Sequence, residues 1–172
     1  SAYTTKTSVY VLIITFAGNS ILIYVGIYMI LYGIVYALLE NDIRRILSYS
    51  IVNQVGFMIV GIGIGTELAI NGTSAHAFSH IIYKGLLLMS AGSVLYVTGK
   101  RKCTDVGGLY KTMPITAACG IIGAFAISAF PFTSGFISKS MIVESSYTEG
   151  LEIIWYFLLI GSAGVFLHAG IK

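Results

Sequence analysis

The chain has 172 residues, 56% hydrophobic and only 10% charged, with a mean hydropathy of +0.88, where a soluble domain carries about 25% charged residues. Such a composition excludes a water-soluble globular domain and makes nucleic-acid binding improbable, and the positions of the charges matter more than the net +3. Cys103 in a polar loop and Cys119 in an apolar run form no metal-ligand spacing and no disulfide framework.

The opening SAYTTKTSVY has no initiator Met and no charged leader before an apolar core, so the chain reads as cut from something longer. Residues 3–17 form a first apolar segment ending at Gly18-Asn19-Ser20, a turn signal. A second run covers 21–39, bounded by Glu40-Asn41-Asp42, and a third covers 46–65, bounded by Arg44-Arg45 and by Gly65-Thr66-Glu67. Asn71-Gly72-Thr73 marks a further turn, and a fourth segment, 74–98, stops at Gly99-Lys100-Arg101-Lys102. The fifth, 113–146, exceeds what one straight span needs and is expected to break near 131–135, where Pro131 removes a backbone donor and Gly135 follows. A sixth covers 151–169. About 20 apolar residues cross a hydrocarbon core of roughly 30 Å. The expected fold is therefore all-α, a single polytopic transmembrane bundle of about six spans over residues 1–172.

Basic residues concentrate in cytoplasmic loops of membrane proteins. Arg44, Arg45, Lys100, Arg101, Lys102, Lys111 and Lys172 all fall on one side under a six-span count, and the loops near Gly18, Glu67 and Glu149 hold none. This places the basic loops in the cytoplasm, with the bacterial inner membrane as the expected location. The remaining basic residues, Lys6, Lys84 and Lys139, sit inside apolar segments. A lysine at a span centre costs about 2.5–3.5 kcal/mol on insertion scales, so each needs a reason to be there and should face the bundle interior.

His76, His80 and Lys84 follow one another at i, i+4 spacing and share a helical face. Imidazole accepts on one nitrogen and donates from the other, so stacked histidines leading to a lysine can pass protons along the helix. The plainer alternative is that both histidines only hydrogen-bond to neighbouring helices. Zinc is disfavoured because the glutamate of H-E-x-x-H and a third ligand are missing. Haem is disfavoured because His76 and His80 share one helix and His168 lies at a distant span end. No metal and no cofactor is therefore expected.

Lys139 follows the expected break, with Glu144 five residues on. Broken helices expose backbone groups that hold water or ions in transporters, although a lysine near a segment end can also snorkel to the surface. Ser48, Ser50, Asn53 and Gln54 either line the same hydrated interior or make ordinary interhelical hydrogen bonds. Gly61-x-Gly63-x-Gly65 lies within an apolar run with no strand before it, and reads as helix packing rather than a nucleotide fingerprint. Asn71-Gly72-Thr73 also matches a glycosylation sequon, a pattern short enough to occur by chance.

ENDIRRILSYSIVNQVGFM, AHAFSHIIYKGLLLMSAGSV, GGLYKTMP and SAFPFTSGFISKSMI, in that order, resemble the proton-translocating antiporter-like family. It comprises the large membrane subunits of respiratory complex I, related hydrogenase subunits and Mrp-type sodium/proton antiporters. TTKT and the closing SAGVFLHAGIK look most like the D-type antiporter subunits. The resemblance implies proton passage along a water-filled axis, driven by neighbouring subunits or by exchange for another cation such as Na⁺, with Lys6, Lys84 and Lys139 as carriers and His76 and His80 as relays. It also implies partner membrane subunits, no catalysis by the chain alone, and about fourteen helices in two inverted repeats in the complete subunit. A structural subunit that moves nothing is the competing expectation.

Overall fold

The computed structural model describes residues 3–171 and is helical from end to end. Lys172, counted above with the basic loops, lies outside the described residues. Eight α-helices occur among those described: α1 (Thr4–Phe16), α2 (Ile21–Leu39), α3 (Ile43–Ile64), α4 (Glu67–Thr98), α5 (Leu109–Thr112), α6 (Pro114–Ile127), α7 (Ser134–Thr148) and α8 (Glu152–Val165). A wider π-type turn continues α8 over Phe166–Ile171. The helices Ile21–Leu39, Ile43–Ile64, Glu67–Thr98 and Glu152–Ile171 are long and apolar enough to cross a membrane. The molecule is thus a polytopic helical bundle, in which α6 and α7 are separated by a break at residues 128–133.

Local chemistry sets the helix starts. The Asp42 carboxylate accepts the backbone N–H groups of Arg44 and Arg45 at 2.9 and 3.2 Å, so α3 begins before the pair of arginines expected to precede it. An anion here also suits the positive end of the helix dipole. Thr66 caps α4 in the same way, its hydroxyl oxygen accepting Ala69 N–H at 3.3 Å. The turn expected at Asn71-Gly72-Thr73 does not form, because α4 is one helix of 32 residues that runs through it. Gly72 is a contact point instead: a Cβ there would lie 2.8 Å from Met141 Cβ of α7. Gly61 and Gly63 do serve packing, against Thr73 and Ile23 respectively.

The break in the fifth segment comes earlier than Pro131 and Gly135 suggested. Helix α6 ends at Ile127, residues 128–133 connect, and α7 starts at Ser134. Ala129 and Phe132 adopt φ of 56° and 70°, a left-handed conformation in which the chain cannot continue as a right-handed helix. Pro131 is an exposed member of this connection. Gly135 does not break anything, since it lies inside α7, where any side chain would strike the Ala126 carbonyl of α6.

The basic loops are tied together at one end. Ile43 N–H donates to Arg101 O at 3.0 Å and Cys103 N–H to Asn41 O at 2.9 Å, which joins the α2–α3 turn to the loop after α4. Glu40 accepts from the N–H groups of Asp42 and Asn41 and lies 3.6 Å from Arg45. The Asp42 amide, then that of Asn41, hold its carboxyl below the usual carboxylate range, with Arg45 adding to them. Ile23, Ile30, Ile34, Phe57, Val60, Ile142 and Leu158 form the main apolar core, which joins α2, α3, α7 and α8.

Candidate functional site

A row of buried polar and cationic side chains runs through the bundle beside that core. Lys84, His76, His80, Asn53 and Gln54 are completely buried, Lys139 is 2% exposed and Lys6 6%. Burying so many polar groups in a hydrocarbon-facing bundle is costly unless each finds a partner. Some do, within the protein, and some do not.

The paired part begins on α3. Asn53 donates from Nδ2 to the Ile30 carbonyl of α2 at 3.2 Å, and Gln54 donates from Nε2 to Asn53 Oδ1 at 3.1 Å. His76 Nε2 lies 3.0 Å from Gln54 Oε1, and its Nδ1 lies 2.8 Å from the hydroxyl of Ser138 on α7. One imidazole therefore bridges α3, α4 and α7. The approach of α2 that this requires depends on Gly33, where a Cβ would come within 2.6 Å of Asn53 N.

Lys139 shows what the helix break contributes. Its Nζ donates to the Ile127 carbonyl at 3.0 Å and stands 5.1 Å from the centre of the Phe57 ring. Ile127 is the last residue of α6, so its carbonyl has no helical N–H partner, and a cation there meets the negative end of the helix dipole. The interrupted helix thus creates the acceptor that receives the lysine of its second half.

The unpaired part lies along α4. Neither ring nitrogen of His80 nor Lys84 Nζ has a hydrogen-bond partner among the described residues, and the same holds for the Thr73, Ser50, Tyr83 and Ser128 hydroxyls. The His76 and His80 rings are 6.1 Å apart, and His80 meets Tyr83 edge-on at 5.2 Å. Lys84 lies about 26 Å from the start of α4 and about 21 Å from its end, near the middle of the helix. Lys6 on α1 donates to Thr5 Oγ1 at 3.0 Å and is within electrostatic range of both His80 and Lys84.

Lys6, His76, His80, Lys84, Lys139, Asn53 and Gln54 are thus brought to one interior. Ser48 is not: it is exposed, and its hydroxyl donates to Arg44 O at 3.0 Å. Glu144 and Pro131 are also exposed. Ser138 was not singled out from the sequence, although Gly135, Ser138, Ile142 and Ser145 recur at helical spacing and form the buried face of α7. A cavity of about 270 Å³ between α4 and α6 is lined in part by Tyr83 and Ser134, close to the break. A larger one of about 450 Å³ opens near the basic loops and borders Leu47, Leu87 and His168.

A buried polar row crossing an interrupted-helix bundle defines a polytopic membrane protein with a polar interior. Comparison with known proteins places it further. Residues 2–166 match the model of the transmembrane family described as NADH:quinone oxidoreductase/Mrp antiporter, and the chain belongs to that family. It is 35% identical over 136 residues to the L subunit of the F(420)H(2) dehydrogenase of Methanosarcina mazei, a match covering 74% of this chain and 20% of that protein. It is 38% identical over 139 residues to the D-type subunit of the Na(+)/H(+) antiporter of Alkalihalophilus pseudofirmus, covering 81% of this chain and 28% of that protein. In fold it is similar to a component of the Mrp complex from a Dietzia species. That match has a TM-score of 0.88 and 23% identity, and covers 95% of this chain and 32% of the other. The chain therefore spans only a fifth to a third of the length of these relatives, which are subunits of membrane complexes.

Proposed function

We propose that this chain is part of a proton-translocating antiporter-like membrane subunit, in which protons pass along Lys6, Lys84, His80, His76 and Lys139. The observation that carries the reading is the pairing pattern of the buried row. Lys84 and His80 are buried with no hydrogen-bond partner among the described residues, as are groups that pair with water in a polar interior. Groups that exchange protons and are joined by water conduct, whereas a scaffold is better served by apolar side chains of the same size. Pro131 takes part through the break, which frees the Ile127 carbonyl for Lys139, and Gly135 by letting α7 approach the Ala126 carbonyl of α6.

The subunit works with other membrane subunits in a bilayer, the bacterial inner membrane in this proposal, with the loops at Arg44–Arg45 and Lys100–Lys102 facing the cytoplasm. The likeness to the D-type subunit of a Na(+)/H(+) antiporter supports exchange of H⁺ for Na⁺. The family's NADH:quinone oxidoreductase members support pumping linked to electron transfer, and passage of protons is common to both. Lys139→Ala in the full subunit, within its assembled complex, tests the reading. The expected result is normal assembly with proton transport reduced at least about tenfold. Transport at the wild-type rate in that complex would leave scaffolding as the function.

A further inference from the structure

The far end of the hydrogen-bonded row fixes its polarity. A backbone carbonyl carries no proton, so the group facing Ile30 O must donate, and Asn53 Nδ2 does so at 3.2 Å. Asn53 Oδ1 then faces Gln54 Nε2 at 3.1 Å, which leaves Gln54 Oε1, an acceptor only, against His76 Nε2 at 3.0 Å. Turning Gln54 over would set its oxygen against Asn53 Oδ1. Turning both amides would set Asn53 Oδ1 against Ile30 O. Each alternative buries two acceptors together with no proton between them. His76 Nε2 therefore bears hydrogen whether the ring is neutral or cationic, and Nδ1 is the nitrogen whose proton can come and go.

Nδ1 faces Ser138 Oγ at 2.8 Å, and that hydroxyl has other acceptors in reach, Ser134 O at 3.0 Å and Gly135 O at 3.4 Å. It has one proton to give. Beside a neutral ring the hydroxyl donates to Nδ1. Beside an imidazolium, Nδ1–H donates to Oγ and the hydroxyl proton turns to the Ser134 carbonyl. The charge of a side chain on α4 thereby sets a hydrogen bond in the first turn of α7, between the helix break and Lys139.

We infer that His76 exchanges its proton at Nδ1 alone, through the Ser138 hydroxyl, while the Ile30–Asn53–Gln54 row holds the ring and carries no proton. The inference deepens the proton-path reading and rests on it for its role in transport. In the exchange, a proton delivered by water or by the Lys139 ammonium bonds to Ser138 Oγ. The earlier Oγ–H bond breaks, Nδ1–H forms, the hydroxyl stays neutral, and the positive charge moves to the imidazolium. The charged and titratable groups facing His76 are Lys139 from α7, Lys6 from α1, and His80 and Tyr83 from α4 itself. Helix α3 presents it only neutral amides.

The test is ¹⁵N spectroscopy of histidine-labelled full subunit in its assembled complex in lipid, with His76→Gln to assign the signal. It is joined to proton-flux pH profiles of Ser138→Ala and Ser138→Thr. Neutral His76 is expected with hydrogen on Nε2 and a bare Nδ1. Ser138→Ala is expected to lower flux at least about tenfold and displace its pH profile, with Ser138→Thr restoring both. A neutral ring with hydrogen on Nδ1 overturns the inference, and so does an assembled Ser138→Ala complex with wild-type flux and profile. The wild-type spectrum decides the tautomer even where Ser138→Ala fails to assemble. A bare Nδ1 in a complex that moves no protons upholds the lock and removes the transport reading instead.

Discussion

Lys84 is costly to the fold and, on this account, central to its use. Its amine is completely buried with no hydrogen-bond partner among the described residues, and such a group costs about 1–3 kcal/mol relative to a satisfied or apolar one. Lys84→Met keeps the volume and removes the charge. The expected outcome is a complex whose melting temperature in detergent is equal to or above wild type, a gain where function required a loss. A fall of several degrees would mean that the amine makes a stabilising contact. Lys139 differs, because its amine is held by Ile127 O and stands over Phe57. Phe57→Ala removes a fully buried ring from the main core and is expected to cost about 3–5 kcal/mol, read as loss of thermal stability of the complex.

The lysines and histidines of the proposed site were its most legible part in the sequence. Lysine and histidine are conspicuous in an apolar run, so Lys6, His76, His80, Lys84 and Lys139 stood out and the fold brings them to one interior. Serine is not conspicuous, which is why Ser138 was missed and Ser48 was included. Ser48 precedes Gln54 by six residues, about 240° around a helix at about 100° per residue and so about 120° the short way round, which turns it away from the face that carries Gln54. Its distance from Gln54 in angle, rather than its polarity, decides its exposure.

At the scale of elements, helix ends depend on single contacts that local pattern does not reveal. Gly72 looked like a turn residue because glycine and asparagine punctuate loops, and only the approach of α7 shows it to be a packing contact within α4. Gly72→Val is therefore expected to push α7 from α4, costing about 1–3 kcal/mol and separating Ser138 from His76. Paired cysteine cross-linking between α4 and α7 would detect the separation as a slower reaction. Pro131 pointed to the correct region of the fifth segment, but the chain leaves the helix at Ser128, just ahead of the left-handed Ala129.

Asp42 offers a simpler check. Asp42→Ala removes the cap of α3 and should cost about 0.5–2 kcal/mol, seen as faster amide exchange at Arg44 and Arg45. Glu40 beside it has a depressed carboxyl pKa. The support it gives the loop is thus present above the unfolded carboxyl value of about 4.3 and fades as pH falls through the lower folded-state value. Protection of the Asn41 and Asp42 amides, corrected for intrinsic rate, should decline in that acid range and not between pH 6 and 8.

At the scale of the whole molecule, composition alone announced a membrane bundle, because no soluble fold can hide so much apolar surface with so few charges. The distribution of arginine and lysine gave the grouping of the loops. The structure adds a physical tie between two of them, through Ile43 to Arg101 and Cys103 to Asn41. In the proposed orientation, a cysteine placed at Lys100 in the full subunit reacts with an impermeant thiol reagent from the cytoplasmic side only. One placed at Glu149 reacts from the other side only.

Hydrated, proton-exchanging side chains in the interior are the central claim, and Lys84 is its most exposed point of failure. Proton flux should be measured in vesicles containing the complete complex, comparing wild type with Lys84→Met at equal assembly. The account predicts that flux drops at least about tenfold while the complex stays intact. An intact Lys84→Met complex that moves protons at the wild-type rate would contradict it.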